Sequence, residues 1–223
     1  VLGMHISPYE HGNIFNKDPL RDRKLLLNRR EINKLYGMIK TKGISIVPLA
    51  MYFSGNKVKI DGYVNNAAMA YDDIVTNLNL DRLKAMYDVN VFTPMMMTKN
   101  VIRNMLLHKT KGAIVHISSI SAHTGYKGLA MYASSKGALE AFSKDTAREW
   151  GPLGIRSNVV VPGFMATAMS STLTDEQRGK IYARTSLKAA TSIRSVAETV
   201  AFLLSEKAES ITGQNIHVDN GTI

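Results

Sequence analysis

The sequence predicts an α/β fold in which a partial parallel sheet with flanking helices follows a smaller segment of different character. From about residue 61 onward, short apolar runs alternate with long helical patterns. That alternation is typical of parallel strands buried on both faces between helices. Before residue 61 the pattern is one basic helix followed by two short strands. The length of 223 residues suits one large domain or two small ones.

The composition excludes several classes of protein. The chain contains no cysteine, which excludes disulfide scaffolds, thiolate-bound zinc and cysteine nucleophiles, and we expect no metal site. No stretch reaches the roughly 18–20 apolar residues of a membrane helix, and the first residues do not follow the pattern of an export signal. We therefore expect a cytoplasmic protein without a membrane partner.

Positive charge is concentrated in the first quarter of the chain. Residues 1–60 hold 11 Lys and Arg against 4 Asp and Glu, whereas the remaining residues hold 17 against 14. A segment this basic favours a polyanion such as RNA as its partner, because Lys and Arg neutralise phosphates and release counterions. A solvated basic helix face explains the same charge equally well.

The amino-terminal segment predicts the order helix, strand, turn, strand. Residues 21–42 form the helical pattern, in which the apolar positions are Leu25, Ile32, Leu35 and Ile39. Gly43 gives a stop signal for this helix. The run ISIVPLAMYF then predicts a strand, and the turn Ser54-Gly55-Asn56 leads into a second strand, KVKI.

Residues 1–60 contain, in order, HISPY, an Asn-x-Asp-Pro turn, RKLLL, Arg-Glu-Ile and VPL. They closely resemble part of the SsrA-binding protein family, SmpB. The resemblance implies a partial oligonucleotide-binding-type β-barrel, half a barrel plus a helix, that binds structured transfer-messenger RNA in ribosome rescue. The candidate RNA-binding residues are Arg21, Arg23, Lys24, Arg29 and Arg30.

The longer segment predicts strands and helices in strict alternation. In chain order the pattern gives the strand GYV, a helix from about Asp81 to His108, the strand AIVHIS, a helix from about Met131 to Trp150, the strand SNVVV, helices near Thr174–Ala183 and Ser195–Ser205, and the strand NIHV. We expect Asn90 to interrupt the first of these helices.

A tyrosine and a lysine form the clearest catalytic pattern. Tyr132 and Lys136 lie four residues apart on a predicted helix and therefore share one face. Ser119 follows the strand AIVHIS, thirteen positions before Tyr132. A phenol with a pKa near 10 needs a neighbouring positive charge to serve as an acid–base catalyst at neutral pH. Each feature alone is commonly accidental, but their combination is not.

Together with VNNAA at residues 64–68, PGFMATAM at 162–169 and ITGQNIHVDNG at 211–221, this set resembles the short-chain dehydrogenase/reductase family. The resemblance covers residues 61–223 and is strongest to the 3-oxoacyl-acyl-carrier-protein reductase group. It implies a Rossmann-like sheet, NAD or NADP as cofactor, and a small carbonyl or acyl-carrier substrate. By the same resemblance Tyr132 exchanges a proton with the substrate oxygen, and Ser119 holds that oxygen. Lys136 is expected to lower the Tyr132 pKa and to bind the nicotinamide ribose. Asn90 is expected to position a water.

The resemblance also implies a cofactor-binding set. Its members are Asn65, Asn66, Ala67 and Ala68 on the adenosine side, Pro162, Gly163 and Thr167 at the nicotinamide end and phosphates, and Tyr132 and Lys136 at the ribose. Ala68 and Asn220 each stand where the family usually has glycine. The family's glycine-rich turn, whose helix amino terminus receives the pyrophosphate, has no counterpart in this sequence. We therefore expect a half-built dinucleotide site and an open sheet edge beside the strand that ends at Val64.

The organisation of the chain leaves several functions open. We place the boundary between the two segments at residues 60 and 61, as in a chimera of two partial domains. The strands near residues 44–53 and 57–60 are candidates to cover the open sheet edge. The functional alternatives are an oxidoreductase, an RNA-binding module and an inactive hybrid of the two. Because the resembled dehydrogenases associate through two long helices, we also expect a homo-oligomer.

Overall fold

The protein is described from a computed structural model. The structure describes residues 52–54, 57–167, 170 and 173–222, with side chains from residue 60 onward. The predicted basic helix 21–42 and the candidate RNA-binding residues Arg21, Arg23, Lys24, Arg29 and Arg30 lie outside the described residues.

Two short strands precede a four-stranded parallel sheet. Strands β1 (Tyr52–Ser54) and β2 (Lys57–Lys59) pair antiparallel across the predicted turn. The larger sheet contains β3 (Gly62–Asn65), β4 (Gly112–Ile117), β5 (Ile155–Pro162) and β6 (Asn215–Val218), which are neighbours in chain order. Each pair in this sheet is parallel. The predicted α/β architecture is thus confirmed over the described residues.

The helices occupy the predicted segments. They are α1 (Leu80–Tyr87), α2 (Thr93–His108), α3 (Ala130–Trp150), α4 (Asp175–Tyr182) and α5 (Ile193–Leu204). The long helix expected over 81–108 is divided into α1 and α2 by a π-helical turn, Asp88–Phe92. Asn90 lies at the centre of this turn, which confirms the predicted interruption. In the part of the chain that the structure describes, no helix is both long enough and apolar enough to cross a membrane.

The core lies on both faces of the sheet because side chains alternate along β4. Val115 and Ile117 face one side, where Val196 and Leu203 of α5 pack against them. Ile114 faces the other side and packs in the cluster that contains several apolar residues of α2: Val101, Ile102 and Met105. The sheet is therefore the middle of three layers, and its strands carry almost continuous apolar runs for that reason.

The edge of the sheet at β3 is open among the described residues. Strand β3 pairs only with β4 there, whereas β1 and β2 pair with each other. The alternative in which the strands before residue 61 extend this sheet is therefore not observed for β1 and β2. A wide groove of about 1690 Å³ runs between β3 and α5, and Val64, Val200 and Leu204 contribute apolar surface to it.

Candidate active site

The parallel sheet brings the candidate residues to one edge. Asn65 ends β3, Ser119 follows β4 by two residues, Gly163 follows β5 and Asp219 follows β6. Because all four strands run in the same direction, these positions all lie at the carboxyl edge of the sheet. In open α/β sheets, ligands bind outside this edge.

Ser119 and Tyr132 are neighbours at this edge. Ser119 has an extended backbone and caps the short 3₁₀ turn Ile120–Ala122, with its Oγ accepting hydrogen bonds from the Ser121 amide and hydroxyl. Tyr132 lies in the first turn of α3 and is half buried. Burial raises the pKa of Tyr132 to about 12; the hydrogen bond with Ser119 opposes this shift, and the Asp72 carboxylate adds to it. The phenol is therefore a proton donor at neutral pH.

Lys136 is buried one turn along α3. Its Nζ donates a hydrogen bond to the main-chain carbonyl of Ile117 at 2.8 Å and lies 5.7 Å from the centre of the Tyr132 ring. Burial lowers the pKa of Lys136 to about 8. Burial is the dominant cause of the raised Tyr132 pKa. The expectation that the Lys136 charge lowers that pKa stays a prediction.

Asn90 connects three parts of the site. Its Oδ1 accepts from the Met69 amide at 2.7 Å, and its Nδ2 donates to the Met69 carbonyl and to Ser135 Oγ at 2.9 and 3.0 Å. The residue is fully buried. The side chain thus fixes the segment after Ala68 against α3, and π-helical turns of this kind are frequent at functional sites. The water-positioning role expected for Asn90 remains a prediction.

Asn65 belongs to a buried polar network that sequence patterns do not reveal. Its Nδ2 lies 2.8 Å from His116 Nδ1 and 3.2 Å from Thr98 Oγ1, while its Oδ1 accepts from the Tyr63 hydroxyl. Because the Asn65 amide donates, His116 Nδ1 is the acceptor, and the hydrogen of the neutral imidazole lies on Nε2. His116 Nε2 has no hydrogen-bond partner. Burial and the Lys136 charge lower the pKa of His116 to about 3. The Asn65 side chain is therefore buried, and its hydrogen bonds are made to other protein side chains.

The remaining members of the expected adenosine set differ in position. Asn66, Ala67 and Ala68 line the upper part of the groove between β3 and α5, and the Asn66 side chain is exposed. The catalytic pattern itself, Ser119, Tyr132 and Lys136, does not line this groove. Asn66, Ala67 and Ala68 are thus accessible to a ligand at the β3 edge, whereas Asn65 is not.

The segment after β5 is packed closely against the loop after β6. A Cβ at Gly163 would lie 2.5 Å from Thr191 Oγ1 and 2.7 Å from Asp219 Cα, so glycine is required here by the protein's own packing. Pro162 is buried at the end of β5, and Thr167 is exposed. Of these three, Thr167 is the one whose side chain is open to a ligand.

Asn220 occupies the position where glycine is usual in the resembled family. Its φ of 58° lies in the left-handed region, which asparagine tolerates better than most residues. Its Nδ2 donates to the Ala189 carbonyl at 2.9 Å. The substitution therefore keeps the turn and adds a contact.

The described residues fit one end of a dinucleotide cofactor. Lys136 Nζ has three hydrogens and donates one of them to Ile117. A buried ammonium beside a phenol is a donor set suited to a ribose diol and a carbonyl oxygen. The other end is not matched, because the strand order of the described sheet does not reverse and no glycine-rich turn joins a described strand to a helix.

Comparison with known families agrees with this geometry. Residues 49–222 match the family model described as enoyl-(acyl carrier protein) reductase. The chain belongs to the short-chain dehydrogenase/reductase family. A second model, described as SmpB protein, matches residues 1–76, so the chain also contains an SmpB segment. The two matches overlap at residues 49–76, within which β3 is part of the dehydrogenase sheet.

Individual relatives support both assignments. A 3-oxoacyl-[acyl-carrier-protein] reductase of Buchnera aphidicola subsp. Baizongia pistaciae is 34% identical over 163 residues, 73% of this chain and 66% of that protein. The structure of a 4-hydroxyisoleucine dehydrogenase complexed with NADH aligns with a TM-score of 0.72 and 26% identity, over 87% of this chain and 75% of that chain.

The SsrA-binding protein of Acetivibrio thermocellus is 62% identical over 72 residues, 32% of this chain and 47% of that protein. The chain thus spans less than two thirds of the Buchnera reductase and less than half of the Acetivibrio SsrA-binding protein. The dehydrogenase segment and the SmpB segment are each shorter than these relatives.

Proposed function

We propose that residues 61–223 interconvert a carbonyl and an alcohol with a nicotinamide cofactor. The placement of Ser119, Tyr132 and Lys136 together at the carboxyl edge of the sheet is the observation that supports this most directly. It sets a proton donor beside a second hydroxyl at this edge, where a substrate oxygen would accept hydrogen bonds from both. Membership of the dehydrogenase family supports the same reaction class.

Each side chain then has a defined task in carbonyl reduction. Ser119 donates a hydrogen bond to the substrate oxygen, and Tyr132 transfers its phenolic proton to that oxygen as negative charge develops there. Lys136 supplies the hydrogen-bond donors for the ribose and, when protonated, a positive charge near the forming phenolate. Asn90 holds the Met69 segment against α3 and so keeps the wall of the site in place. A bound nicotinamide supplies the hydride.

The proposed ligands follow from the same residues. Asn66, Ala67 and Ala68 at the β3 edge, with Thr167 after β5, would line the cofactor, which is either NAD or NADP. The substrate would be a small carbonyl compound or an acyl chain on a carrier, as the names of the relatives suggest.

We also propose a cytoplasmic homo-oligomer formed through α2 and α3, because Phe92 and Met96 expose about half of their surface beside this helix pair.

A thermal unfolding experiment with cofactor tests the proposal. Ligand at a hundredfold above its dissociation constant adds about 2.7 kcal/mol to the free energy of unfolding, which moves the midpoint by roughly 5–11 °C. We expect either NADH or NADPH to raise the midpoint, and Tyr132→Phe to lower carbonyl reduction by about 10²–10⁴-fold while cofactor binding persists. No shift with either cofactor supports the inactive hybrid, and full activity of Tyr132→Phe contradicts the mechanism.

A second proposed function rests on the SmpB segment. Residues 1–76 match that family, and the 62% identity to the Acetivibrio SsrA-binding protein is higher than that of the reductase match. We propose that this segment binds structured RNA, with transfer-messenger RNA as the candidate ligand. Its excess of Lys and Arg over residues 1–60 provides the positive charge that phosphate contacts require.

A further inference from the structure

The carboxylate of Glu140 accepts hydrogen bonds from three different elements. Ser118 Oγ, at the end of β4, donates to Oε1. His123 Nε2 lies 3.0 Å from both carboxylate oxygens, and Asn215 Nδ2 of β6 donates to Oε2 at 2.8 Å. Glu140 itself lies on α3, is 8% exposed, and is one helical turn beyond Lys136. A buried carboxylate with this many donors is a junction between elements.

The donors bracket the catalytic serine along the chain. Ser118 immediately precedes Ser119, and His123 follows the 3₁₀ turn that Ser119 caps. Both ends of the loop that bears Ser119 are therefore bound to one side chain of α3. Tyr132 and Lys136 lie on the same helix, two turns and one turn before Glu140. The bonds to Glu140 thus connect the Ser119 loop to the helix that bears Tyr132.

We propose that Glu140 is a positioning residue that fixes the loop bearing Ser119 relative to Tyr132 of α3. This inference rests on the proposed dehydrogenase function for its catalytic consequence, but not for its structural one. Glu140 does not line the groove and touches no reacting atom in the proposed mechanism. It acts through Ser118 and His123, which connect it to the two ends of the Ser119 loop.

The proposal requires a carboxylate at residue 140. A carboxylate offers two acceptor oxygens, and each of them has a donor here. Glutamine has nearly the same shape but one acceptor oxygen, so it cannot accept from Asn215 and from Ser118 and His123 at the same time. Either Asn215 loses its acceptor, or the hydrogens of Ser118 and His123 must turn away from residue 140. Since a buried donor without an acceptor costs about 1–3 kcal/mol, the loop is expected to shift away from α3 rather than keep the unpaired contact.

Fluorine NMR tests the positioning role without requiring turnover. The chain has nine tyrosines, so protein labelled with 3-fluorotyrosine gives nine resonances, and Tyr132→Phe assigns the one that matters. We expect Ser119→Ala to shift the Tyr132 resonance, because it removes a hydroxyl that acts on the phenol. Glu140→Gln is expected to shift the same resonance in the same direction. A Tyr132 resonance that moves with Ser119→Ala but not with Glu140→Gln overturns the proposal.

Glu149→Gln is the matched control. Glu149 lies near the end of the same helix and is exposed, so its amide variant is expected to leave the Tyr132 resonance and the rates unchanged. If Glu140→Gln does not fold, His123→Ala replaces it, because His123 is partly exposed and removing it leaves the other two donors in place. We expect a smaller shift in the same direction from His123→Ala, and the absence of any shift contradicts the proposal.

Kinetics separates this inference from the proposed function. In an active enzyme, Glu140→Gln is expected to lower kcat by about 10- to 100-fold while KM for the cofactor changes less than about twofold, because misplacement of a catalytic group affects the chemical step. A shifted resonance with unchanged kcat overturns the positioning role. If the wild-type chain has no turnover, the proposed function fails and the NMR comparison alone decides whether Glu140 positions Ser119.

Discussion

Lys136 donates a hydrogen bond from Nζ to the main-chain carbonyl of Ile117, 2.8 Å away. The bond ties the middle of α3 to the carboxyl end of β4. It also places an ammonium group in an environment where burial lowers the pKa of Lys136 to about 8. One residue thus connects α3 to the sheet and limits the pH range over which this part of the site is positively charged.

Lys136→Met is expected to increase stability at pH 7 while abolishing activity. The folded-state pKa of about 8 lies below the ordinary value of 10.5, so the wild-type protein bears the cost of a buried ammonium below pH 8. By linkage this cost is about 3 kcal/mol. Lys136→Met avoids the cost but loses the hydrogen bond to Ile117, so its net gain in stability is smaller. Urea unfolding from pH 7 to 10.5 checks the sign: the wild type should gain stability relative to Lys136→Met as pH rises. A constant difference would contradict the buried charge.

Carbonyl reduction is expected to decline above pH 8. The Tyr132 phenol, with its pKa raised to about 12, stays protonated through this range, whereas Lys136 loses its charge near pH 8. The pH profile of kcat/KM should therefore show a descending limb that reports Lys136. In Lys136→Arg the guanidinium remains charged, and the limb should disappear from the residual activity. Persistence of the limb in that variant would assign it to another group.

His116 is expected to make the fold sensitive to acid. Burial and the Lys136 charge lower its pKa from 6.5 to about 3, so the unfolded chain binds a proton that the folded chain does not. Stability from this group is present above pH 6.5 and is lost as pH falls toward 3. His116→Asn keeps an acceptor for Asn65 and should flatten the decline in an unfolding series from pH 7 to 4. His108→Asn, at the end of α2, is the control and should retain the wild-type slope.

RNA binding by the SmpB segment is expected to weaken with salt. Replacing Arg29 and Arg30 together with alanine should lower affinity for structured RNA and reduce the slope of log K against log salt by about 1–2, if both contact phosphates. A filter or fluorescence-anisotropy titration at several salt concentrations measures both quantities. Tyr132→Phe in the other segment is the matched control. Binding that is absent, or that does not depend on salt, would contradict this function.

The fold of residues 61–223 was predictable because its pattern is local. Apolar runs such as AIVHIS are buried on both faces of a parallel sheet, and their length and composition distinguish them from helices. The interruption of the long helix at Asn90 was also predictable. The complete division into α1, a π-helical turn and α2 was not, because it depends on the contacts of Asn90 with Met69 and Ser135.

The candidate site was predictable in its residue types and only partly in its electrostatics. Spacing places Tyr132 and Lys136 on one helix face, and the structure has them there. Spacing cannot give the burial that raises the Tyr132 pKa and lowers that of Lys136, because burial depends on every element packed around the helix. The effect expected of Lys136 on the Tyr132 pKa therefore stays a prediction.

The sequence by itself determined the family, the two-part organisation and the Ser119, Tyr132 and Lys136 pattern, because short motifs and periodicity are properties of neighbouring residues. The tertiary structure alone showed that Asn65 is committed to His116, that Gly163 is required by Thr191 and Asp219, and that Glu140 joins three elements. These relationships bring together residues distant in the chain, and their energies come from burial and hydrogen-bond geometry, which exist only after the sheet has assembled.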